Sequence, residues 1–256
     1  MNGGGDVRPS LGVVVPVYNE AATIERSCRR VVEVMEGYEG RSAVIAVDDG
    51  SADRSASILA LLAGELDLLD FVRRPANGGY GAALRSGAER AAELGLDYVA
   101  FIDSDLTNPP EDLLKIGALA RQGADYIKGS RFIRGGDMDA VPTSRSVFTK
   151  TGNLVGRTLF GTSIRDVTNG FRGVRTELFL SWPLKETGFA VIVEEMGWAL
   201  RSGIEIAEFP TVLSARADDQ RSTAFTYSPQ TFISYLRYPM RTFRGRIRRA
   251  LVGRRD

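Results

Sequence analysis

The chain has 256 residues, 43% of them hydrophobic and 25% charged, and a formal net charge of +1; this suits one large soluble α/β domain and gives no global pull toward nucleic acid. It holds no histidine and one cysteine, Cys28, which excludes a Ser-His-Asp triad, a histidine base, an intrachain disulfide and zinc or iron–sulfur sites built from His or Cys. Any metal must therefore be held by oxygen, which favours Mg2+ or Mn2+, and the lone thiol suits a reducing, cytoplasmic setting.

Residues 1–10 are Gly-rich, lack an apolar signal core and read as a flexible tail. The β-branched run over 11–17 predicts a buried parallel strand. Ile24, Val31, Val34 and Met35 carry helical spacing within 21–36. Further strands are predicted over 43–47, 68–72 and 98–102, with another starting at 125–128. Helices are predicted over 53–62, 78–94 and 110–121, the last with Pro110 at its start. This alternation predicts a Rossmann-like, mostly parallel sheet with helices on both faces, where ligands bind beyond the carboxyl ends of the strands. The polar stretches at 18–20, 48–51 and 103–105 all fall on that edge.

From Arg131 the alternation breaks down. Gly135-Gly136, Pro142 and a Thr/Ser cluster near 143–151 predict a long loop or lid, followed by mixed short elements. No linker stands out, so 11–230 reads as one domain with a donor half (11–130) and an acceptor half (131–230), followed by a basic segment at 231–256. No apolar run approaches the ~20 residues a spanning helix needs.

The central constellation is Asp103-Ser104-Asp105. Two carboxylates at i and i+2 after an apolar strand can converge on one divalent ion, which can bridge the phosphates of a nucleoside diphosphate and neutralise a leaving group. Asp48 and Asp49 end another strand and can accept from ribose hydroxyls or a base N–H, whereas Asp53 reads as the cap of the next helix. Gly78, Gly79 and Gly81 open a helix; a close approach to phosphate and a plain helix start both account for them. Arg131, after the fifth strand, is placed for a diphosphate or acceptor contact, with a surface ion pair as the alternative. Glu194 and Glu195 lie on one helix about 100° apart, so one is expected to face the cleft as a base and the other to face solvent.

These pieces together resemble the family 2 glycosyltransferases, in particular the branch that includes dolichol-phosphate mannose synthase. The resemblance runs through Val13-Val14-Val15-Pro16-Val17-Tyr18-Asn19-Glu20, Val47-Asp48-Asp49-Gly50-Ser51, Ile102-Asp103-Ser104-Asp105-Leu106 with Pro109-Pro110-Glu111, Gly129-Ser130-Arg131-Phe132 and Asn169-Gly170-Phe171-Arg172. It implies a GT-A fold and an inverting, Mg2+- or Mn2+-dependent transfer from GDP-mannose or a UDP-hexose, with polyprenyl or dolichyl phosphate as acceptor. Carried over, Asp103 and Asp105 hold the metal. Pro16, Tyr18, Glu20, Asp48, Asp49, Gly79, Asp103 and Ser104 line the donor. Arg131 contacts phosphate and Glu195 lies near the acceptor; Arg172, Arg216 and Arg221 are further candidate phosphate or acceptor contacts, the last two as substitutes for a missing Lys. Thr107 stands where the branch often has Gln, and the usual Gly-x-Ser-Lys after an Arg is replaced by the stretch from Arg216 to Thr223, without its Lys.

Phe232, Ile233, Tyr235, Leu236, Tyr238, Met240 and Phe243 interleave with arginines, which fits a helix lying on the cytoplasmic membrane face near a polyprenyl phosphate. The alternative is a basic tail interrupted at Pro239. Three rival readings stand beside the transferase: a soluble small-molecule or natural-product acceptor, a nucleotide-sugar-binding protein without catalysis, and a phospho-acceptor receiver domain using Asp48, Asp49, Asp103 and Lys128. The last leaves the Asp-x-Asp spacing and the second half unexplained.

Overall fold

The structure, a computed structural model, describes residues 8–138, 143–214 and 229–252. In chain order the first half holds β1 (Leu11–Val17), α1 (Ile24–Glu36), β2 (Ser42–Asp48), α2 (Ser55–Glu65), β3 (Leu69–Arg73), α3 (Tyr80–Glu93), β4 (Tyr98–Phe101), α4 (Leu113–Arg121, entered through a 3-10 turn at Pro110–Asp112) and β5 (Tyr126–Ser130). The second half holds β6 (Asp137–Met138), α5 (Thr143–Phe160), β7 (Arg172–Arg175), α6 (Thr176–Ser181), α7 (Val191–Ser202), β8 (Ile206–Pro210), β9 (Val212–Leu213) and α8 (Pro229–Val252).

Seven strands form one sheet in the order β3-β2-β1-β4-β7-β5-β8. All neighbours are parallel except β7, which runs antiparallel between β4 and β5. β6 and β9 form a separate parallel pair. Side chains alternate across a strand, and β1 shows the consequence: Val13, Val15 and Val17 join the core under α1, α2 and α4, while Val14 joins the core under α3, α6 and α7. Each fully buried valine contributes about 1.5–3 kcal/mol, so β1 is anchored from both sides. Helix α1 buries Ile24, Cys28, Val31, Val32 and Met35, an i, i+4, i+7, i+8, i+11 stripe. Burial pushes the Cys28 thiol up to about 12, so it acts as a small core hydrophobe.

Three expectations are corrected. The loop or lid near 143–151 is the helix α5; Phe148, Gly152 and Gly156 line an internal cavity and Phe160 is buried, so the inward stripe recurs every fourth residue but is written partly in glycine. Pro239 does not interrupt the C-terminal helix: α8 runs through it. An interior proline costs about 3 kcal/mol, offset here by packing of α8 on α5 and α7 and by the buried Tyr238. The tail does not extend to residue 10, because the Ser10 backbone N–H and hydroxyl both donate to Asp97 (2.8 and 2.7 Å) and the Pro9 carbonyl accepts from Tyr38.

Candidate active site

The β1–β2 register sets Val17 beside Asp48, so the loops leaving both strands share one edge. They are stitched together. Asn19 adopts φ 56°, a left-handed conformation that Asn tolerates better than most residues. Its side-chain oxygen accepts from the backbone N–H groups of Ala52 (2.9 Å) and Asp53 (3.3 Å), and its own N–H donates to Ser51. Glu20 N–H donates to Ser55 Oγ, and its carboxylate accepts from Thr23 Oγ1 at 3.0 Å. Tyr18 stands half exposed at the rim, with Pro16 and Glu20 partly buried beside it. Asp53 accepts from Ser55 N–H (2.9 Å) and Ala21 N–H (3.0 Å), so it ties the start of α2 to the β1 loop, while the N-cap position expected of it is taken by Arg54.

Asp48 is buried in the turn, where both of its oxygens accept from Ser51 N–H. Asp49 binds the Arg74 guanidinium and accepts from Gly78 N–H (3.0 Å) and Gly79 N–H (2.7 Å). The groups expected to meet the donor are engaged within the protein: the Asp49 carboxylate holds Arg74 and the Gly78 and Gly79 N–H groups, and Gly79 N–H also donates to Asn77 Oδ1. Gly79, at φ 91°, is demanded by packing, since a Cβ there would lie 2.5 Å from the Thr187 carbonyl oxygen.

Asp103 follows β4 after one residue, the buried Ile102. The chain then turns, with Leu106 N–H donating to the Asp103 carbonyl (3.1 Å) and Leu106 at φ 49°. The turn keeps Asp103 and Asp105 partly buried on the same loop as the buried Ser104. Thr107 donates to Asp105 Oδ1 from its N–H (3.2 Å) and its hydroxyl (3.1 Å), which places Thr107 as a support for Asp105. Tyr80 Oη donates to Asp103 Oδ1 at 3.0 Å. Among the described residues no three His, Cys, Asp or Glu side chains cluster into a self-sufficient metal cage. Two carboxylates on one tight turn, with oxygen donors only, fit a Mg2+-like ion that completes its shell with substrate phosphates and water.

Below this edge lies a buried charge network that sequence reasoning largely missed. Arg131 makes a two-pronged pair with Asp166 (2.7 and 3.0 Å) and also donates to Thr168 Oγ1 at 2.9 Å. Burial alone would raise the Asp166 carboxyl, but Arg131 outweighs it and holds the pKa below the ordinary range. Arg172 and Glu195 are both 0% exposed and form a second two-pronged pair, with Arg172 Nε 2.6 Å from Glu195 Oε2 and the guanidinium over the Phe101 ring. Burial opposes the charge on Arg172, but Glu195 overrides it and keeps the guanidinium protonated. Lys128, also fully buried, donates to the Asn169 carbonyl; burial first and Arg172 second lower it to about 7, against the pull of Asp166 and Glu195.

The roles expected for Glu194, Glu195 and Arg172 are therefore corrected. Neither glutamate is solvated: Glu194 accepts from the Lys185 and Glu186 N–H groups, and Glu195 is closed off by Arg172. Helical spacing separated the two side chains correctly but could not reveal that protein lies on both sides of α7. Arg172 is buried against its partner and is not a phosphate contact. Arg216 and Arg221 lie outside the described residues.

A cavity of about 210 Å3 is lined by Asp103, Thr107, Arg131, Thr168, Asn169 and Gly170. Phe148 of α5, Ile192 and Val193 of α7, and Leu236 and Pro239 of α8 share that lining. Its lining among the described residues carries one carboxylate, Asp103, and one guanidinium, Arg131. Of its residues, Phe189 had no readable sequence signal, Tyr235 and Leu236 of α8 were read as a membrane-facing pattern rather than a cavity wall, and the Asn169-Gly170 stretch was singled out.

A doubly wound sheet with one antiparallel strand inserted beside the strand that delivers an Asp-x-Asp turn is the architecture of the GT-A glycosyltransferases. The chain belongs to glycosyl transferase family 2, whose sequence profile matches residues 12–181. It is 29% identical over 216 residues to a polyprenol monophosphomannose synthase of Mycolicibacterium smegmatis, covering 82% of this chain and 80% of that one. It is 28% identical over 206 residues to an undecaprenyl-phosphate mannosyltransferase of Micrococcus luteus, covering 79% and 83%. Among solved structures, glucosyl-3-phosphoglycerate synthase of Mycobacterium tuberculosis bound to UDP superposes with a TM-score of 0.63 at 23% identity, over 90% of this chain and 80% of that one. The same enzyme with Mn2+, UDP and glucosyl-3-phosphoglycerate gives 0.59 at 23%, over 84% and 73%. These structural likenesses are of fold.

Proposed function

We propose that this protein moves a hexosyl group from a nucleoside-diphosphate sugar to a polyprenyl phosphate, in a single inverting displacement. The observation that carries this reading is the cavity. Its lining brings Asp103 and Arg131 together with apolar side chains of α5, α7 and α8, a mixture that suits an anionic group joined to an apolar chain. The relatives named for polyprenol- and undecaprenyl-phosphate mannosyl transfer support the same substrate class.

Residues 11–130 bind the donor, with Pro16, Tyr18 and Glu20 at the nucleoside rim; residues 131–230 form the acceptor side. Asp103 and Asp105 hold Mg2+ or Mn2+, which when bound neutralises charge on the departing diphosphate. Arg131, held in place by its two-pronged pair with Asp166, offers its guanidinium to phosphate from the cavity lining. The acceptor phosphate oxygen attacks the anomeric carbon as the bond to the diphosphate breaks. A phosphate monoester is already anionic and needs no general base, in keeping with a lining whose one carboxylate among the described residues is Asp103.

Helix α8 supports placement at a membrane surface. Ile233, Met240, Phe243 and Ile247 are exposed and fall within about 80° of helix arc, flanked by Arg237, Arg241, Arg244 and Arg248. Among the described residues no helix is long and apolar enough to cross a membrane. Incubation with labelled GDP-mannose or UDP-hexoses, Mn2+ and undecaprenyl phosphate, followed by organic extraction, tests the reading. Label in the lipid phase is expected; label transferred only to a water-soluble product overturns it.

A further inference from the structure

Tyr80 opens α3 between two glycines and is held from several directions. Gly81 N–H donates to the Thr187 carbonyl at 2.7 Å, so segment 186–189 of the second half lies directly on the start of α3. The Tyr80 ring stacks on Phe189, with centroids 4.5 Å apart and planes inclined by 28°. Phe189 is tied in turn to α8, whose Tyr235 hydroxyl donates to the Phe189 carbonyl at 3.0 Å, while Tyr238 donates to Glu186 at 2.9 Å. At the far end of the ring, Tyr80 Oη donates to Asp103 Oδ1. A Cβ at Gly170 would lie 3.3 Å from Tyr80 Oη and 3.7 Å from Asp103 Oδ2, so the Gly170 backbone packs against the pair.

We infer that Tyr80 is a positioning residue for the metal carboxylate: its hydroxyl fixes the orientation in which Asp103 receives the divalent cation, and the Phe189 stack fixes Tyr80. The inference rests on the metal role proposed for Asp103. A carboxylate with one oxygen hydrogen-bonded to a rigid donor cannot rotate freely, so binding a cation costs it less orientational entropy. Removing such outer partners lowers metal affinity by about 10–100-fold in other sites.

The test is an electron paramagnetic resonance titration of Mn2+ into the full-length protein, with UDP and with GDP in separate series, alongside thermal melting. No turnover is involved. Tyr80→Phe keeps the ring and its stack and removes only the donor; it is expected to weaken Mn2+ binding about 10-fold. Phe189→Leu keeps the hydroxyl and removes the stack; it is expected to weaken Mn2+ binding in the same direction. Asp103→Asn is expected to abolish binding. Wild-type Mn2+ affinity in Tyr80→Phe overturns the inference, and so does a lowered melting temperature with unchanged affinity. Wild-type affinity in Asp103→Asn instead overturns the metal reading on which the inference stands.

Discussion

Glu195→Ala separates a structural carboxylate from a catalytic one. The substitution leaves Arg172 charged and 0% exposed inside the sheet, facing Phe101 and the Gly170 carbonyl, with its main partner gone. Removing one member of a buried pair costs about 3–5 kcal/mol. For a chain of this size each kcal/mol moves the melting temperature by about 2–4 °C, so the fall should be roughly 6–20 °C. Replacing both partners, Arg172→Met with Glu195→Met, removes the charges and nearly conserves volume, and should recover most of that loss because no desolvated ion remains. Differential scanning calorimetry of wild type, both single variants and the double variant measures the effect, with sugar transfer assayed well below every transition. Refutation is a Glu195→Ala protein that melts with wild type yet transfers no sugar; the carboxylate would then belong to the chemistry.

Gly79→Ala should lower stability by about 1–3 kcal/mol, because a side chain at φ 91° is strained and its Cβ meets the Thr187 carbonyl; an unchanged melting temperature with weaker donor binding would return Gly79 to a phosphate role. Lys128 has a folded-state pKa lowered to about 7, against about 10.4 when unfolded. Between those values unfolding takes up a proton, so wild-type stability gains up to about 1.4 kcal/mol per pH unit as pH rises; below about 7 both states are protonated and the slope vanishes. Urea midpoints of Lys128→Met should lack this slope, and a pH-independent gap from wild type between pH 7 and 9 would contradict the assignment. On α8, combined Ile233→Ser, Met240→Ser and Phe243→Ser should reduce flotation with phosphatidylglycerol vesicles, and salt should weaken wild-type binding; equal recovery of both proteins would count against the membrane face.

The donor half was legible because its elements obey local rules. β1 spans the residues its β-branched run indicated, and β2, β3, β4 and β5 begin or end within about two residues of expectation. Their acidic ends therefore fell on the correct sheet edge. The second half hid for physical reasons. α5 carries its inward stripe in Gly152 and Gly156, which no hydrophobic pattern registers. β7 enters the sheet antiparallel between strands made much earlier, a pairing that no local signal encodes. Arg172 and Glu195 satisfy each other from β7 and α7, and Tyr80 meets Phe189 across the chain, so burial decides their roles and becomes visible only when the layers are assembled. Asp49 and the glycines at 78–79 were noted separately in the sequence, and only the folded chain shows that the Asp49 carboxylate accepts from both glycine N–H groups and from Arg74.

The account depends on Asp103 and Asp105 sharing one cation beneath a sugar diphosphate. An anomalous-scattering map from crystals grown with Mn2+ and either UDP or GDP measures this directly. It should show a single peak about 2.1 Å from a carboxylate oxygen of each aspartate and in contact with the diphosphate. A peak bound elsewhere, or a nucleotide seated at Tyr18 with no metal between the two aspartates, would contradict it.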